Sequence, residues 1–318
     1  MTTGNETGSS RPGDPIKAGD PIKASEPIQG DNGRNRPAWQ LPPGVSRGTW
    51  DYVHEASIAT QYDGFHHGHP LLELDRNLVM SVADEISSSY GGHAGVAVDL
   101  ACGTGRCSIP LAERGWRVIG IDLSQSMLSE VAAKKNDNAA ISERVALVRG
   151  NLVQMAFLSD EQIDLAYCLY SSIGMIQGRN NRLELLRHVH RVLRPDGRFL
   201  VHVHNRGTWL RDPGGVRRWI ADWWRSVRDS QWEFGDRVYA YRGLPSMFLH
   251  IFSERELKRD LHRAGFRLDR WIRLNRTSSG LLSSPWCSGL RAGGYIAVAK
   301  KTSMQRSDAR VSSLGVER

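Results

Sequence analysis

Two aspartates and the closely spaced glycine pair Gly103 and Gly105 lie in the stretch VAVDLACGTGRCSIPLAERGWRVIGIDL, residues 96–123. Asp99 and the turn that follows it, DLACGTG, close an apolar run of strand length, and Asp122 closes a second such run 23 residues later. Gly103 and Gly105 carry no Cβ, so a ligand can approach the backbone of that turn. An acid at the end of the next strand can accept both hydroxyls of a ribose. The third glycine of a dinucleotide turn is missing, because Gly103-Thr104-Gly105 runs into Arg106-Cys107-Ser108. No G-x-x-x-x-G-K-[ST] phosphate loop occurs either. The chemistry implied is recognition of a ligand with a ribose and no pyrophosphate. Asp99 either meets that ligand or only fixes the turn.

Other residues could do chemistry beside such a turn. His202 and His204 alternate in an apolar run, so both point to one face of a strand, and His204 or Asn205 at its end could orient or deprotonate a substrate. His250, ahead of FSERELKRDL, could face the same pocket. Tyr62 lies upstream of the first strand, in ATQYDGF. The HHGH stretch (His66, His67, His69) matches no standard metal spacing and reads as a solvated loop. Cys102, Cys107, Cys168 and Cys287 form no CxxC pair and no zinc spacing, so no metal is expected.

Strand-like and helix-like segments alternate around these residues. GVAVDLA, WRVIGIDL, RVALVRGN, IDLAYCLY, RFLVHVHN, RLDRWIRLN and GGYIAVAKK read as seven strands. Helices are expected at RCSIPLAERG, at SQSMLSEVAAKK behind a Ser124 cap, at NNRLELLRHVHRVL up to the RPDG turn, and at SERELKRDLHRAGF behind a Ser253–Glu256 capping box. Near-continuous apolar central strands imply a doubly wound, mostly parallel α/β sheet covered on both faces. Two strands in a row at the end imply an antiparallel pair at one edge.

VDLACGTG, the acid closing VIGIDLS, and LRPDGRFLVHV together resemble the class I S-adenosylmethionine-dependent methyltransferases, over about residues 90–301 and in that family's motif order. The resemblance implies the Rossmann-like methyltransferase fold, seven strands with the last antiparallel, and S-adenosyl-L-methionine as cofactor. It implies that Ala101, Cys102, Gly103 and Gly105 line the methionine part, with Ala101 replacing a commoner glycine and Asp99 supporting the loop. Asp122 would bind the ribose, Leu123 would cover one adenine face, and Met127 would pack near it. Asn151-Leu152 would face the adenine amino group, where the family often has Asp. Leu169 to Ser171 would sit beside the sulfonium, and Tyr62 would belong to a helix that closes over the cofactor. The acceptor atom and the oligomeric state leave no mark on the sequence.

The chain has 318 residues and a formal charge of +8. Residues 206–276 hold 16 Lys/Arg against nine Asp/Glu, and six of the ten Trp, so nearly all the excess charge is regional. About 47 of these residues, 206–252, form an insertion after the fifth strand, over the strand ends, where a plain connection would be short. Its segment GGVRRWIADWWRSVRDSQW reads either as a helix whose tryptophans pack down or as a surface for an anionic substrate. The acceptor is therefore expected to be a small molecule. The alternative is a tRNA or other nucleic acid, since HIFSERELKRDLHRAGF faintly resembles tRNA wobble-uridine carboxymethyl methyltransferases; a non-catalytic cofactor-binding regulator is a third reading. Residues 1–45, with their DPI/DPI/EPI repeat, and 302–318 are expected to be disordered tails flanking a 46–301 domain. The chain shows no secretory h-region and no apolar run of spanning length, so a cytoplasmic enzyme with no membrane partner is expected.

Overall fold

A computed structural model describes residues 36–301 apart from Pro285; most of the first expected tail and all of the second lie outside the described residues. In chain order the elements are α1 (Arg47–His54), α2 (Ala56–His66), α3 (Pro70–Ser89), β1 (Val96–Leu100), α4 (Ser108–Glu113), β2 (Arg117–Asp122), α5 (Gln125–Asn136), α6 (Ala139–Arg144), β3 (Val145–Arg149) and β4 (Ile163–Cys168). There follow α7 (Arg179–Val192), β5 (Leu193–His204), α8 (Gly215–Arg228), β6 (Asp236–Tyr241), β7 (Leu244–His250), α9 (Glu254–Arg263), β8 (Phe266–Arg273), α10 (Ser288–Arg291) and β9 (Gly294–Lys301).

Seven strands form one sheet in the order β3-β2-β1-β4-β5-β9-β8. The first five are parallel, and β9 runs antiparallel to both β5 and β8. The last two strands pair as expected, but β9 lies inside the sheet and β8 forms the edge. The strands are apolar on both faces because both are covered. In β1, Ala97 joins a core with α3 and α4, while Val98 and Leu100 join a core with α7 and α9. In β4 the alternation repeats, Leu165 and Tyr167 against Ile163, Ala166 and Cys168. Ser124 caps α5, and Ser253 with Glu256 forms the capping box of α9. The RPDG segment is not a separate turn: β5 starts at Leu193, and the four residues bulge out of it, with Asp196 at φ +65°.

Two differences from the sequence reading concern what covers the strand ends. Residues 42–45 are not part of a disordered tail: Gly44 O accepts from Gln177 N at 2.8 Å, and Val45 bridges Ile176. The 206–252 insertion contains a hairpin, β6–β7, besides its helix. Arg242 and Gly243 join the two strands, both at positive φ (+49° and +83°), which is the two-residue turn that suits strand twist.

The hairpin closes against α1 with almost no gap. A Cβ on Gly48 would lie 1.4 Å from Ser246 O, so only glycine lets that helix meet the β7 backbone. Gly48→Ala is expected to cost about 1–3 kcal/mol through forced separation of α1 and β7. At about 2–4 °C per kcal/mol for a chain of this size, thermal unfolding should fall by several degrees.

Candidate functional site

The carboxyl ends of β1, β2 and β3 converge on a cavity that α1 and α2 roof over. The turn after β1 bends sharply, with Ala101 at φ +62°, Gly103 at +54° and Gly105 at +79°. The two glycines do different work. A Cβ on Gly103 would meet nothing within 4 Å, so this residue offers bare backbone to the cavity. A Cβ on Gly105 would strike Val131 Cγ1 at 2.9 Å, so Gly105 lets α5 pack against the turn and does not face the cavity.

Asp122 holds these pieces together. Its Oδ2 accepts from Gly103 N at 2.9 Å and its Oδ1 from Ser124 N at 2.8 Å. Burial pushes its pKa up, against the N–H groups of Ser124, Gly103 and Leu123, which favour the charged form. Each oxygen keeps acceptor capacity toward the cavity that Asp122 lines. Asp99 is placed differently. It is buried, accepts from Ser108 Oγ at 2.6 Å and supports the turn from behind. Burial above all raises its pKa to about 7.

Of the residues expected at the site, Ala101, Gly103, Asp122, Leu123, Met127, Asn151, Leu152 and Tyr62 line this one cavity. Asn151 also ties down the N-terminal segment, donating through Nδ2 to Pro43 O at 2.9 Å and accepting from Val153 N at 3.0 Å. Cys102, Leu169 and Asn205 do not line it. The Cys102 side chain turns into the fold, 3.1 Å from where a Gly120 Cβ would be, and burial pushes its thiol pKa well up. Leu169 packs in the core on the α3 side, and its carbonyl accepts from Ser172 N and Oγ. Asn205 is buried, donating both Nδ2 hydrogens to Gly289 O and Ala292 O and accepting from Gly207 N, so it has no donor left for a substrate.

His250 does not face the cavity. Its Nδ1 lies 2.6 Å from Asp236 Oδ1 and its Nε2 2.8 Å from Glu256 Oε1. Burial alone would raise Glu256, but the bond from His250 and the charges of Arg206 and Arg182 hold its pKa at about 2. Glu233 comes close enough to suggest a metal cage with these two residues, yet it already accepts from Arg182 Nη2 at 2.6 Å and from Arg179 N. The group is an ionic clasp that fastens the β6–β7 hairpin to α7 and α9.

An aromatic chamber adjoins the cavity, and the sequence reading reached only part of it. Tyr170 and Ser171, after β4, both adopt left-handed backbone (φ +51° and +60°), at a cost of about 1–2 kcal/mol each. Ser171 N donates to His202 O at 3.0 Å, and its Oγ accepts from His204 N at 3.3 Å, which holds the strained pair. Tyr170 thereby meets His66 edge-on at 5.6 Å and His204 at 6.0 Å, and His66 lies 4.3 Å from Tyr62. HHGH is a solvated turn only at His67 and Gly68: His66 ends α2 inside this cluster, and His69 caps α3 by accepting from Leu71 N. Tyr52 enters from α1 and packs on Tyr241, the last residue of β6. Burial, and then His202 beside it, lower the pKa of His204 to about 4, so its ring is neutral near neutral pH. Behind it, His202 Nδ1 pairs with buried Asp75 at 3.0 Å. Tyr52 and Tyr241 escape a sequence reading because two separate segments deliver them, whereas Tyr170 lies within the Leu169–Ser171 span expected beside the sulfonium.

Comparison with known proteins agrees with this architecture. A methyltransferase domain family model matches residues 97–197. YqeM of Bacillus subtilis (strain 168), whose methyltransferase assignment is itself provisional, is 36% identical over 111 residues, covering 35% of this chain and 43% of its own. The sterol 4-C-methyltransferase strm-1 of Caenorhabditis elegans is 27% identical over 135 residues, 42% of this chain and 38% of its own. The chain thus spans less than half the length of these curated relatives. Among solved structures, the CcbJ methyltransferase of Streptomyces caelestis superposes with a TM-score of 0.56 at 15% identity, covering 79% of this chain and 97% of CcbJ, and so shares the fold.

Two outcomes follow from the carboxylates. Asp122→Ala removes a charged acceptor worth about 1.5–3 kcal/mol per bond. Calorimetric titration with S-adenosylhomocysteine should show binding weakened by about tenfold or more. Asp99 keeps its proton to about pH 7 when folded, against 3.8 when unfolded. Between those values the unfolded chain binds fewer protons, so this residue makes stability fall as pH rises. The melting temperature of Asp99→Asn relative to the parent should therefore climb from pH 4 to pH 7 and level off above.

Proposed function

We propose, from the premise that this chain carries a class I S-adenosylmethionine-dependent methyltransferase domain, that it transfers the methyl group of S-adenosyl-L-methionine to a small, largely apolar or aromatic acceptor held in the tyrosine chamber. One observation carries the reading: Tyr62, which lines the cavity at the ends of β1, β2 and β3, also starts a run of ring contacts through His66 and Tyr170 to His204, so an aromatic cluster adjoins the donor half. The residues fit the cofactor. The bare face of Gly103 leaves room for close approach, and Asp122 lines the cavity as a buried carboxylate with acceptor capacity to spare. Leu123, Met127 and Leu152 supply apolar walls, and Asn151 a polar one.

When bound, the cofactor supplies an electrophilic methyl on a positively charged sulfur. The protein's part is to bind, orient and exclude water. Ala101 and Gly103 shape one wall, and α1 and α2 close the cavity from above. Placing two reacting atoms in line is the largest help such a site offers. Tyrosine faces also attract a cation, each by about 0.5–2 kcal/mol. Burial raises the pKa of Tyr170 to about 12 and that of Tyr62 further, so both stay neutral donors. His204, neutral near pH 7, is a candidate base beside the chamber. The sterol acceptor in the printed name of the worm relative agrees with an apolar acceptor.

The regional positive charge supports a nucleic-acid acceptor less well than its size suggests. Arg206 stacks on Phe234, Arg225 on Trp232, Arg237 on Trp209 and Arg242 on Phe65, while Arg270 and Arg273 pair with Glu85 and Glu254. Much of that charge is spent inside the fold.

The test is calorimetry with S-adenosylmethionine, S-adenosylhomocysteine and NAD, followed by label transfer to a panel of aromatic and apolar small molecules and to bulk tRNA. Binding of the first two ligands without NAD, and label on small molecules, is expected. Label on tRNA alone would overturn the acceptor class. With an acceptor in hand, Tyr170→Ala should lower kcat/KM by at least about tenfold, near 1.4 kcal/mol, with cofactor affinity within about twofold of the parent.

A further inference from the structure

In the helix α8, GVRRWIADWWRSVR, one of the two readings of the segment, tryptophans packed down, holds for Trp219 but not for Trp223 and Trp224, which are exposed. At 3.6 residues per turn, Val216, Ile220, Trp223 and Val227 fall on one stripe, with Trp224 at its side. In the fold these five are 57%, 47%, 45%, 63% and 48% exposed, respectively. The helix meets the body through its other side. Gly215 abuts Trp209, Trp219 lies edge-on to Phe234 at 4.9 Å, and Asp222 faces Arg237 at 3.7 Å. The apolar stripe therefore points away from the protein. Isolated exposed apolar residues need no explanation, but a continuous stripe of them does.

The charge beside the stripe is of one sign. Arg217 and Arg228 border it and Arg218 and Arg225 lie beyond them, while the helix's one acid, Asp222, faces inward to Arg237. We infer that α8 is an interfacial helix that seats this protein on an anionic phospholipid surface. An apolar strip with tryptophans on one side and arginines next to it is what such a surface binds, acyl chains meeting the strip and phosphates the guanidinium groups. A second copy fits worse, because a two-fold contact through this helix would bring the arginine edge close to its own like charge. A nucleic acid fits worse as well: bases can stack on Trp223 and Trp224, but Val216, Ile220 and Val227 along the centre of the stripe would gain nothing. Fourteen residues reach about 21 Å, too short to cross a bilayer, and no described helix is long and apolar enough to do so. The helix lies on the surface, which revises the expectation of no membrane partner. The inference does not rest on the methyl-transfer reading.

The experiment uses the full chain and sedimentation with vesicles of phosphatidylcholine alone or with 30% phosphatidylglycerol. Partitioning onto the anionic vesicles should exceed that onto neutral ones by about tenfold or more and weaken with salt. Ile220→Asn with Val227→Asn should lower it about tenfold or more, and Arg217→Glu with Arg228→Glu should remove the preference for the anionic lipid. Both double variants should keep the parent's melting temperature and S-adenosylhomocysteine affinity, since none of the four side chains touches the cavity. Equal sedimentation of parent and Ile220→Asn/Val227→Asn would overturn the inference, as would no sedimentation of the parent at low salt. A dimer dissolved by the same pair of substitutions would assign the stripe to a second copy, and tRNA binding lost with them would assign it to nucleic acid; either overturns the lipid reading. Loss of cofactor binding by the parent would instead strike only the proposed function.

Discussion

A single carboxylate holds three chain segments at the centre of this protein. Asp122 ends β2 and accepts from the backbone of the turn after β1 and from the start of α5. Its neighbour Ser124 caps α5 and also donates to Val53 O at 2.8 Å, which brings the roof helix α1 to the same point. The glycine turn, the helix behind it and the cover above it are thus fixed relative to one another by two residues, Asp122 and Ser124, on either side of Leu123. Burying a charge is costly unless it is hydrogen-bonded, and here the same bonds that offset the cost define the shape of the cavity.

The acceptor side is built on different physics. Packing and ion pairs assemble segments that are far apart in the chain. The α1 helix meets β7 through Gly48, Arg242 of the hairpin turn lies over Phe65 of α2 at 3.4 Å, and the His250 clasp fastens the hairpin's other end. These contacts make the insertion part of the chamber wall. They also leave the outer stripe of α8 without cover, because the helix uses Gly215, Trp219 and Asp222 to reach the body and has no apolar side chain left facing inward on that stripe. A helix held in this way keeps one surface for the protein and another for a partner.

Strain is concentrated where the strands end. Ala101 after β1 and the Tyr170–Ser171 pair after β4 hold left-handed backbone without being glycine. Ala101 lines the cavity, and Tyr170 belongs to the aromatic cluster next to it. Such conformations persist only where surrounding bonds over-determine them, and here the carbonyl of His202 and the N–H of His204 supply those bonds. The outcome is a tyrosine aimed at the histidines of α2 and β5.

The sequence by itself determined the seven strands of the main sheet, the covering helices α4, α5, α7 and α9 but not α3, and most of the residues expected to line the cavity. That information is local: apolar runs of strand length, caps at Ser124 and Ser253, and a glycine turn with its acid 23 residues on all lie within short windows. It also named Tyr62 and His204, but it could not say that Cys102 turns inward, that Asn205 is spent on the 288–292 segment or that His250 is clasped by two carboxylates. Those outcomes depend on which neighbours a side chain meets, and the neighbours come from six to more than 80 positions away. The β6–β7 hairpin was missed although Arg242-Gly243 marks its turn, because tyrosine and arginine on short strands give only a weak alternating pattern. Only the tertiary structure decided the membership of the aromatic chamber and the exposure of the α8 stripe. Helical periodicity shows that a helix has an apolar face, and only the packing of the rest of the chain decides whether that face is turned inward or out.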